Sequence, residues 1–288
     1  MSALPLDLIA VPWDVERNDT GAARAPGELA ARGFPDRLRA TGREVRQITV
    51  HPVPEGSSKA ERVAEIAQGI ARAVARARAQ KRFPLVLSGG CLAAVGVVAA
   101  GLQSPEAESG RVGEPGVVWI DAHGDFNTPE TSPSGYWDGM ALAAVCGVSL
   151  IDLGAAAGLQ PLPVDRALHL AGRAFDPLET ANVRRHGLET VAVGELAGPG
   201  TRERLRRRAG AGGWYLHVDL DGLDPRDVPA VGFPEPDGAR LDGLLEALGG
   251  LPPPAAMTFS ALSFDRAGEE EAERTVAACL RLAAALAV

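Results

Sequence analysis

The chain has 288 residues, of which 46% are hydrophobic and 23% charged, a composition typical of folded globular proteins and unlike that of disordered or fibrous ones. Its formal net charge of -8 provides no positive field for nucleic acid or an anionic membrane surface. Three widely separated cysteines, a start without signal-peptide character and the lack of any apolar run of about 18 residues predict a cytoplasmic protein without disulfides.

Short apolar runs alternate with helical segments along the chain. Eight of these runs are interpreted as buried strands, beginning near Leu8, Val45, Leu85, Val117, Ala167, Val191, Tyr215 and Met257. Between the second and third, the segment from Ser57 to Lys81 has apolar residues at helical spacing and is predicted to be an amphipathic helix. Because parallel neighbours need crossover connections, the alternation predicts a three-layer α/β/α domain with a mostly parallel central sheet over residues 1–288.

Three further segments are predicted to lie at the protein surface. The stretches from Leu102 to Pro115 and from Gly210 to Gly213 are predicted to be loops and not domain linkers, because strand patterns resume after each. Five arginines between Arg202 and Arg208 lie in a helical segment, where a charge run usually marks a solvated face.

A first cluster of polar residues follows the strand near Val117. Asp121, His123 and Asp125 lie within five residues, and strand alternation directs Asp121 and His123 to the same side. Asp and Asn after a strand also serve turns and helix caps, so this cluster alone leaves metal binding and local structure equally open.

A second cluster follows the strand near Tyr215. Asp219 and Asp221 share one face, and two carboxylates at a buried strand end need either a cation or a proton to offset their repulsion. Together the clusters offer four carboxylates and an imidazole, a donor set suited to two hard or borderline metal ions about 3.5 to 4 Å apart.

These segments resemble the ureohydrolase superfamily, the group of arginases, agmatinases and formiminoglutamases. The likeness runs through nearly the whole chain and is strongest in residues 121–135 and 219–225. It implies an arginase-like fold, a homo-oligomer (trimer or hexamer) and two divalent metal ions, usually manganese, bridged by a hydroxide. The resemblance would make Asp121, His123, Asp125, Asp219 and Asp221 metal ligands, and it places Asn127, Ser134 and Asp176 where arginases contact the amino-acid end of their substrate.

Cys91 is the first departure from the family pattern. It falls at or next to the position of a family histidine that completes the ligand set. A thiolate is softer than an imidazole, so Cys91 as a ligand favours Zn, Fe or Ni over Mn. Two other interpretations of Cys91 stay open: a small buried hydrophobe, and an oxidisable thiol that regulates the site.

Two more departures concern proton transfer and substrate. Asp138 stands where arginases carry a proton-shuttling histidine, and it is interpreted either as a catalytic base or as an exposed turn residue. Ser263 stands where the family often places a glutamate that grips the guanidinium, so an arginine-like cation is not the predicted substrate. Cys91 and the residues after Asp125 also resemble the hydroxyarginine-hydrolysing enzyme of D-cycloserine biosynthesis, which implies a less basic guanidine.

The leading hypothesis is a binuclear metal hydrolase that cleaves a C–N bond of a small guanidino or amidino substrate, with Asp125 or Asp138 giving a proton to the leaving amine. The competing hypothesis is a metal-poor ligand-binding pseudoenzyme on the same fold. His217, which shares a face with Asp219, is interpreted as a hydrogen-bonded core histidine, with support of a metal ligand as the alternative.

Overall fold

The computed structural model describes residues 4–15, 21–51, 57–102, 115–210 and 213–287. These residues contain eight strands: β1 (Leu6–Val11), β2 (Val45–Thr49), β3 (Phe83–Ser88), β4 (Gly116–Ile120), β5 (Ala167–Leu170), β6 (Glu189–Val191), β7 (Trp214–Asp219) and β8 (Ala256–Ser260). They form one sheet in the order β2-β1-β3-β8-β7-β4-β5-β6, and each neighbouring pair is parallel. The fold is α/β, and its sheet is all-parallel where the sequence predicted a mostly parallel one.

Ten α-helices connect the strands within the described ranges. They are α1 (Gly21–Ala31), α2 (Phe34–Ala40), α3 (Lys59–Ala79), α4 (Ala93–Ala99), α5 (Ala141–Val145), α6 (Ile151–Ala157), α7 (Pro177–His186), α8 (Pro199–Arg208), α9 (Leu241–Leu248) and α10 (Glu269–Leu286). Helices α1, α2, α8, α9 and α10 contribute to the core on one face of the sheet, and α3, α4, α5 and α6 to the core on the other. Among the described residues, no helix is both long and apolar enough to span a membrane.

The strands divide their side chains between these two faces. In β7, Leu216 and Val218 enter the core beneath α9 and α10, whereas Tyr215 enters the core beneath α3 and α4. In β4, Val118 and Trp119 separate in the same way. This period of two follows from the pleat, and it sends Asp219, two residues after His217, towards the α3–α4 side.

Helix α3 confirms the amphipathic prediction. Its predicted apolar positions Val63, Ile66, Ile70 and Val74 are all buried against the sheet. Ser58 caps its first turn, since its side chain accepts from the Glu61 amide and the Glu61 carboxylate accepts from the Ser58 amide.

The loop and charge predictions have mixed outcomes. Residues 103–114, most of the first predicted loop, and residues 211–212, half of the second, lie outside the described residues. The arginine run does lie on a helix, α8, but it is not wholly solvated. Arg208 is 5% exposed and pairs with Glu189, because its position near the end of α8 brings it against β6.

Candidate metal centre

The site lies where four central strands reach the carboxyl edge of the sheet. Cys91 follows β3 by three residues, Asp121 directly follows β4, and Asp219 is the last residue of β7. Strands β3, β8, β7 and β4 are consecutive in the sheet, so residues far apart in sequence meet at one edge. The expected location of a site in a parallel sheet is therefore the one observed.

Two groups of candidate metal donors share one residue. Cys91, Asp121 and Asp125 form the first group, called here the cysteine group, and Asp121, His123 and Asp221 form the second, called the histidine group. Within each group, the donor atoms lie within 4.8 Å of one another. Asp219 adjoins both, since its carboxylate contacts Cys91 Sγ at 2.9 Å and accepts from the Asp221 amide at 2.9 Å.

The shared carboxylate of Asp121 is held on both oxygens. Trp119 Nε1 donates to Oδ2 at 3.0 Å, and the His123 amide donates to Oδ1 at 2.7 Å. The same turn brings His123 Nδ1 to 3.2 Å from Asp221 Oδ2. These contacts fix the direction in which each donor faces the others.

Asp125 occupies a strained position. Its φ of 49° lies in the left-handed region, which a non-glycine residue rarely adopts without surrounding support. Support comes from the buried Glu179, whose carboxylate accepts from the Phe126 amide at 2.8 Å and from the Asp176 amide at 3.0 Å. Asp125 Oδ2 is itself buried and has no hydrogen-bond partner in the described structure. A buried carboxylate oxygen without a partner is suited to a cation.

Burial and mutual repulsion dominate the electrostatics. Burial raises the pKa of Asp121, Asp125, Asp219 and Asp221, and neighbouring carboxylates raise each further. Burial would lower the pKa of His123, but hydrogen bonds to Asp121 and Asp221 outweigh it and raise that pKa to about 12. A protonated His123 offsets only one of the four carboxylates, and the oxygen, nitrogen and sulfur donors of the cluster fit divalent metal ions.

Asp138 is buried, so its interpretation as an exposed turn residue is wrong. Its Oδ1 accepts a hydrogen bond from the Leu92 amide at 2.8 Å. This bond connects the short 3₁₀ helix of residues 138–140 to the loop that carries Cys91. Burial raises the pKa of Asp138 to about 7. The side chain also lies against Gly90, where an added Cβ would stand 2.1 Å from Asp138 Oδ2, so a larger residue at position 90 would displace the Asp138 carboxylate.

The other predicted residues are distributed around the site. Asn127 Nδ2 donates to Asp176 Oδ2 at 3.0 Å, so the structure brings these two together. Ser134 lies in an exposed turn, where its Oγ accepts from the Tyr136 amide. Ser263 follows β8, and its backbone amide donates to the Ala230 carbonyl. His217 is a fully buried core histidine with partners on both ring nitrogens, as predicted.

Three residues near the site were not found from the sequence. Arg173 donates to the backbone carbonyls of Asp221 and Gly222 and to those of Glu235 and Pro236, which joins the Asp221 turn to the loop that carries Phe233. The Phe233 ring is 64% exposed and stands edge-on to His123 at 6.4 Å between centroids. Glu179 alone had a usable signal, since Asp176-Pro177 followed by Glu179 is a helix-capping pattern.

Comparison with known proteins gives one consistent family. A model described as the Arginase family matches residues 5–286. The chain is 32% identical over 248 residues to an arginase of Bacillus caldovelox, covering 80% of each chain. It is 35% identical over 135 residues to an N(omega)-hydroxy-L-arginine amidinohydrolase of Streptomyces lavendulae, covering 46% of each. The crystal structure of an arginase from Bacillus cereus superposes with a TM-score of 0.80 at 27% identity, covering 96% of each chain.

Proposed function

The chain belongs to the arginase family, and from that membership we propose that it hydrolyses a C–N bond of a small guanidino or amidino substrate at a binuclear metal site. As a member of the family it is a hydrolase acting on linear amidines. The proposal takes residues 1–288 as a single arginase-like domain.

The observation that carries the proposal is the sharing of Asp121 between the two donor groups. The family implies a binuclear metal site, and a carboxylate common to two groups is the feature a closely spaced ion pair requires. We propose Cys91, Asp121, His123, Asp125, Asp219 and Asp221 as the ligands. Manganese is the family's expected ion, and the sulfur of Cys91 makes Zn, Fe or Ni the alternatives to test.

Each residue has a proposed part in catalysis. Two metal ions held by these ligands would supply hydroxide at neutral pH as the nucleophile for the trigonal carbon of the substrate. We propose that Asp125 holds metal through Oδ2, which has no protein partner, and that its other carboxylate oxygen takes the proton released when water becomes hydroxide and returns it to the leaving amine. Asp138 keeps the Cys91 loop in place through the Leu92 amide and, with a pKa of about 7, serves as the second proton carrier.

The proposed substrate is a modified arginine whose guanidine is less basic than that of arginine. Asn127 and Asp176, which are hydrogen-bonded to each other, are the proposed contacts for the amino-acid end of the substrate. Ser134, in its exposed turn, is the third proposed contact for that end. The family resemblance assigns Ser263, which carries no charge, to the reacting end, and Phe233 offers an apolar ring next to His123. These groups suit a neutral guanidine better than a guanidinium cation, and the partial likeness to a hydroxyarginine amidinohydrolase supports this choice.

The remaining parts of the proposal concern assembly and location. We propose a homo-oligomer, a trimer or a hexamer, and a cytoplasmic location without nucleic-acid or membrane partners. The net charge of -8 supports the exclusion of polyanionic partners. Sedimentation of the purified protein tests the assembly.

Metal content and product release test the proposal together. The protein is stripped, incubated separately with Mn(II), Zn(II), Fe(II) and Ni(II), desalted and measured by elemental analysis. Each form is then assayed for urea or substituted urea from arginine and from Nω-hydroxyarginine. Two ions per chain with faster turnover of hydroxyarginine is the expected result.

Matched variants distinguish an effect at the metal site from the general effect of losing a buried thiol. Cys279 is also fully buried but lies on α10, so Cys279→Ser controls for the loss of a buried thiol in Cys91→Ser. Fewer than one ion per chain with every metal would overturn the binuclear mechanism. Two ions with arginine as the better substrate would overturn only the substrate assignment.

A further inference from the structure

A row of buried polar side chains lies behind the cysteine group, on the face of the sheet that α3 and α4 cover. Tyr215 and His217 belong to β7, and Thr258 and Ser260 belong to β8. All four are fully buried, and the strand register places His217 beside Thr258 and Asp219 beside Ser260. The opposite faces of the same two strands carry apolar residues such as Val218 and Phe259.

The row is hydrogen-bonded from end to end. Tyr215 Oη donates to Thr258 Oγ1 at 2.7 Å and lies 2.9 Å from His217 Nδ1. While the one phenol hydrogen is on Thr258, His217 Nδ1 is the donor of that second bond. Nε2 of the neutral ring is then the acceptor for the Ser260 hydroxyl at 3.1 Å. Ser260 Oγ in turn lies 3.3 Å from Cys91 Sγ, where the row reaches the site.

His217 is also fixed by stacking. Its ring lies on the indole of Trp119 with 3.6 Å between centroids and 13° between planes. The same indole donates to the shared carboxylate of Asp121. One histidine therefore supports two candidate ligands, Asp121 through Trp119 and Cys91 through Ser260.

Core packing alone does not require this row. Replacing both partners of a buried hydrogen bond by apolar groups of similar shape costs little stability, so valine and alanine would serve a purely structural role. A row of four hydrogen-bonded polar groups that ends at one sulfur atom is instead suited to holding that sulfur in position.

We propose that Ser260 and His217 are positioning residues for Cys91: the Ser260 hydroxyl hydrogen-bonds to the sulfur and, held by His217, sets the strength of the sulfur as a metal donor. While the Ser260 hydrogen is on His217 Nε2, Ser260 Oγ can only accept a hydrogen bond from the Cys91 thiol. To donate to a metal-bound thiolate, Ser260 accepts instead from Nε2–H of the other His217 tautomer, and the Tyr215 hydroxyl donates to Nδ1. The inference rests on the proposed function, because it requires Cys91 to be a ligand.

Cobalt(II) tests the inference without an activity assay. Co(II) bound by a thiolate has a sulfur-to-metal charge-transfer absorption in the near ultraviolet, whose energy reports the electron density on the sulfur. In Ser260→Ala we expect this band to move to lower energy, because the sulfur loses a hydrogen bond. The affinity for Co(II), measured by competition with a chelating dye, should fall about tenfold. Ser260→Thr keeps the hydroxyl and should restore both values towards those of the wild type.

Two further variants separate positioning from a general loosening of the core. Thr258→Val removes a buried hydroxyl at the far end of the same row but leaves the Ser260–Cys91 contact, so its band should stay in place. His217→Phe keeps an aromatic ring for Trp119 and removes both ring nitrogens, so its band should move in the same direction as that of Ser260→Ala, by a smaller amount.

The outcomes are distinguishable. A folded Ser260→Ala protein with the wild-type band and affinity would overturn the inference, and so would an equal shift in Thr258→Val. If Ser260→Ala does not fold, an unshifted band in His217→Phe would overturn it. A wild-type protein that binds Co(II) without a thiolate band would overturn the proposed role of Cys91, and the inference with it.

Discussion

The two donor groups differ in access to solvent although they share Asp121. In the cysteine group all three residues are buried, whereas in the histidine group the His123 side chain is 35% exposed and lies beside the exposed Phe233. The buried group is supported from behind by β7 and β8, and the exposed group is supported by Arg173 through the Asp221 turn. One half of the site therefore fixes its donors in place, and the other half faces solvent at His123.

This difference assigns separate tasks to the two ends of one metal site. Donors that are buried and hydrogen-bonded determine which ion binds and how firmly. The proposed function assigns substrate selection to the solvent-facing side of the site, called here the mouth, where His123 lies beside Phe233. Substitutions in the two groups should therefore change different measured quantities.

The largest effect is expected for the shared residue. Asp121→Asn removes a charge that both groups use, so metal content should fall below one ion per chain and turnover to the background rate. Asp221→Asn changes the histidine group alone and should retain one ion. Elemental analysis of both variants checks this, with the exposed Asp242→Asn on α9 as the control for loss of a carboxylate. Equal metal loss in the Asp121 and Asp221 variants would show that the two groups do not bind separately.

The next effect concerns Glu179, which supports the Asp125 turn of the cysteine group. Burial raises its pKa from 4.5 to about 7, so its contribution to stability is full below pH 4.5 and is lost as the pH rises through 7. The loss should be on the order of 3 kcal/mol in metal-free protein. Glu179→Gln cannot ionise, but its amide can accept only one of the two backbone N–H groups.

Urea unfolding with EDTA at pH 5 and pH 8 measures this contribution. At pH 5 the Gln variant should be less stable than the wild type by about 1–3 kcal/mol, because one buried N–H loses its acceptor. At pH 8 the difference should shrink. A difference that stays constant with pH would mean that Glu179 does not titrate in this range.

A smaller effect is expected from exchanging the soft donor. Cys91→His replaces sulfur by nitrogen in the cysteine group and should shift the ratio of Mn(II) to Zn(II) affinity towards Mn by about tenfold, or 1.4 kcal/mol. Competition with a chelating dye gives both affinities. An unchanged ratio would place the sulfur outside the coordination of either ion, whatever the activity of the variant.

The smallest effect on stability is expected at the mouth. Phe233 is largely exposed, so Phe233→Ala should change the free energy of unfolding by less than about 0.5 kcal/mol. The KM of the Phe233→Ala variant for hydroxyarginine should rise several-fold, while its metal content stays constant. Leu178, also exposed but on α7, gives the matched control Leu178→Ala. Loss of metal in the Phe233 variant would contradict the separation of tasks.

Short-range patterns predicted the strands and the carboxylate clusters. The i, i+2 spacing of Asp121 with His123 and of Asp219 with Asp221 predicts which side chains meet, because pleated strands have a period of two. The carboxyl-edge location follows from parallel topology. These features depend on neighbours in sequence, which a single chain displays directly.

Other features depend on sheet order and long-range packing. Apolar runs do not reveal that β8 lies between β3 and β7, so the contact of Ser260 with both His217 and Cys91 was not predicted. The burial of Asp138 depends on the Cys91 loop that packs against it, 46 residues away. Arg173 reaches carbonyls up to 63 residues away, and nothing near it in the sequence indicates this.

The strand order also bears on how the protein is made. Among the described residues, the first six strands belong to two separate half-sheets, β2-β1-β3 and β4-β5-β6, and β7 and β8 join them. During synthesis on the ribosome, β3 and β4 therefore each have one unpaired edge until residues 214–260 have emerged. Until then Cys91 and Asp121 lie on different half-sheets, so the nascent chain has two aggregation-prone strand edges and an incomplete metal site. Chaperone cover of these edges and late metal loading are the demands that this topology places on biosynthesis.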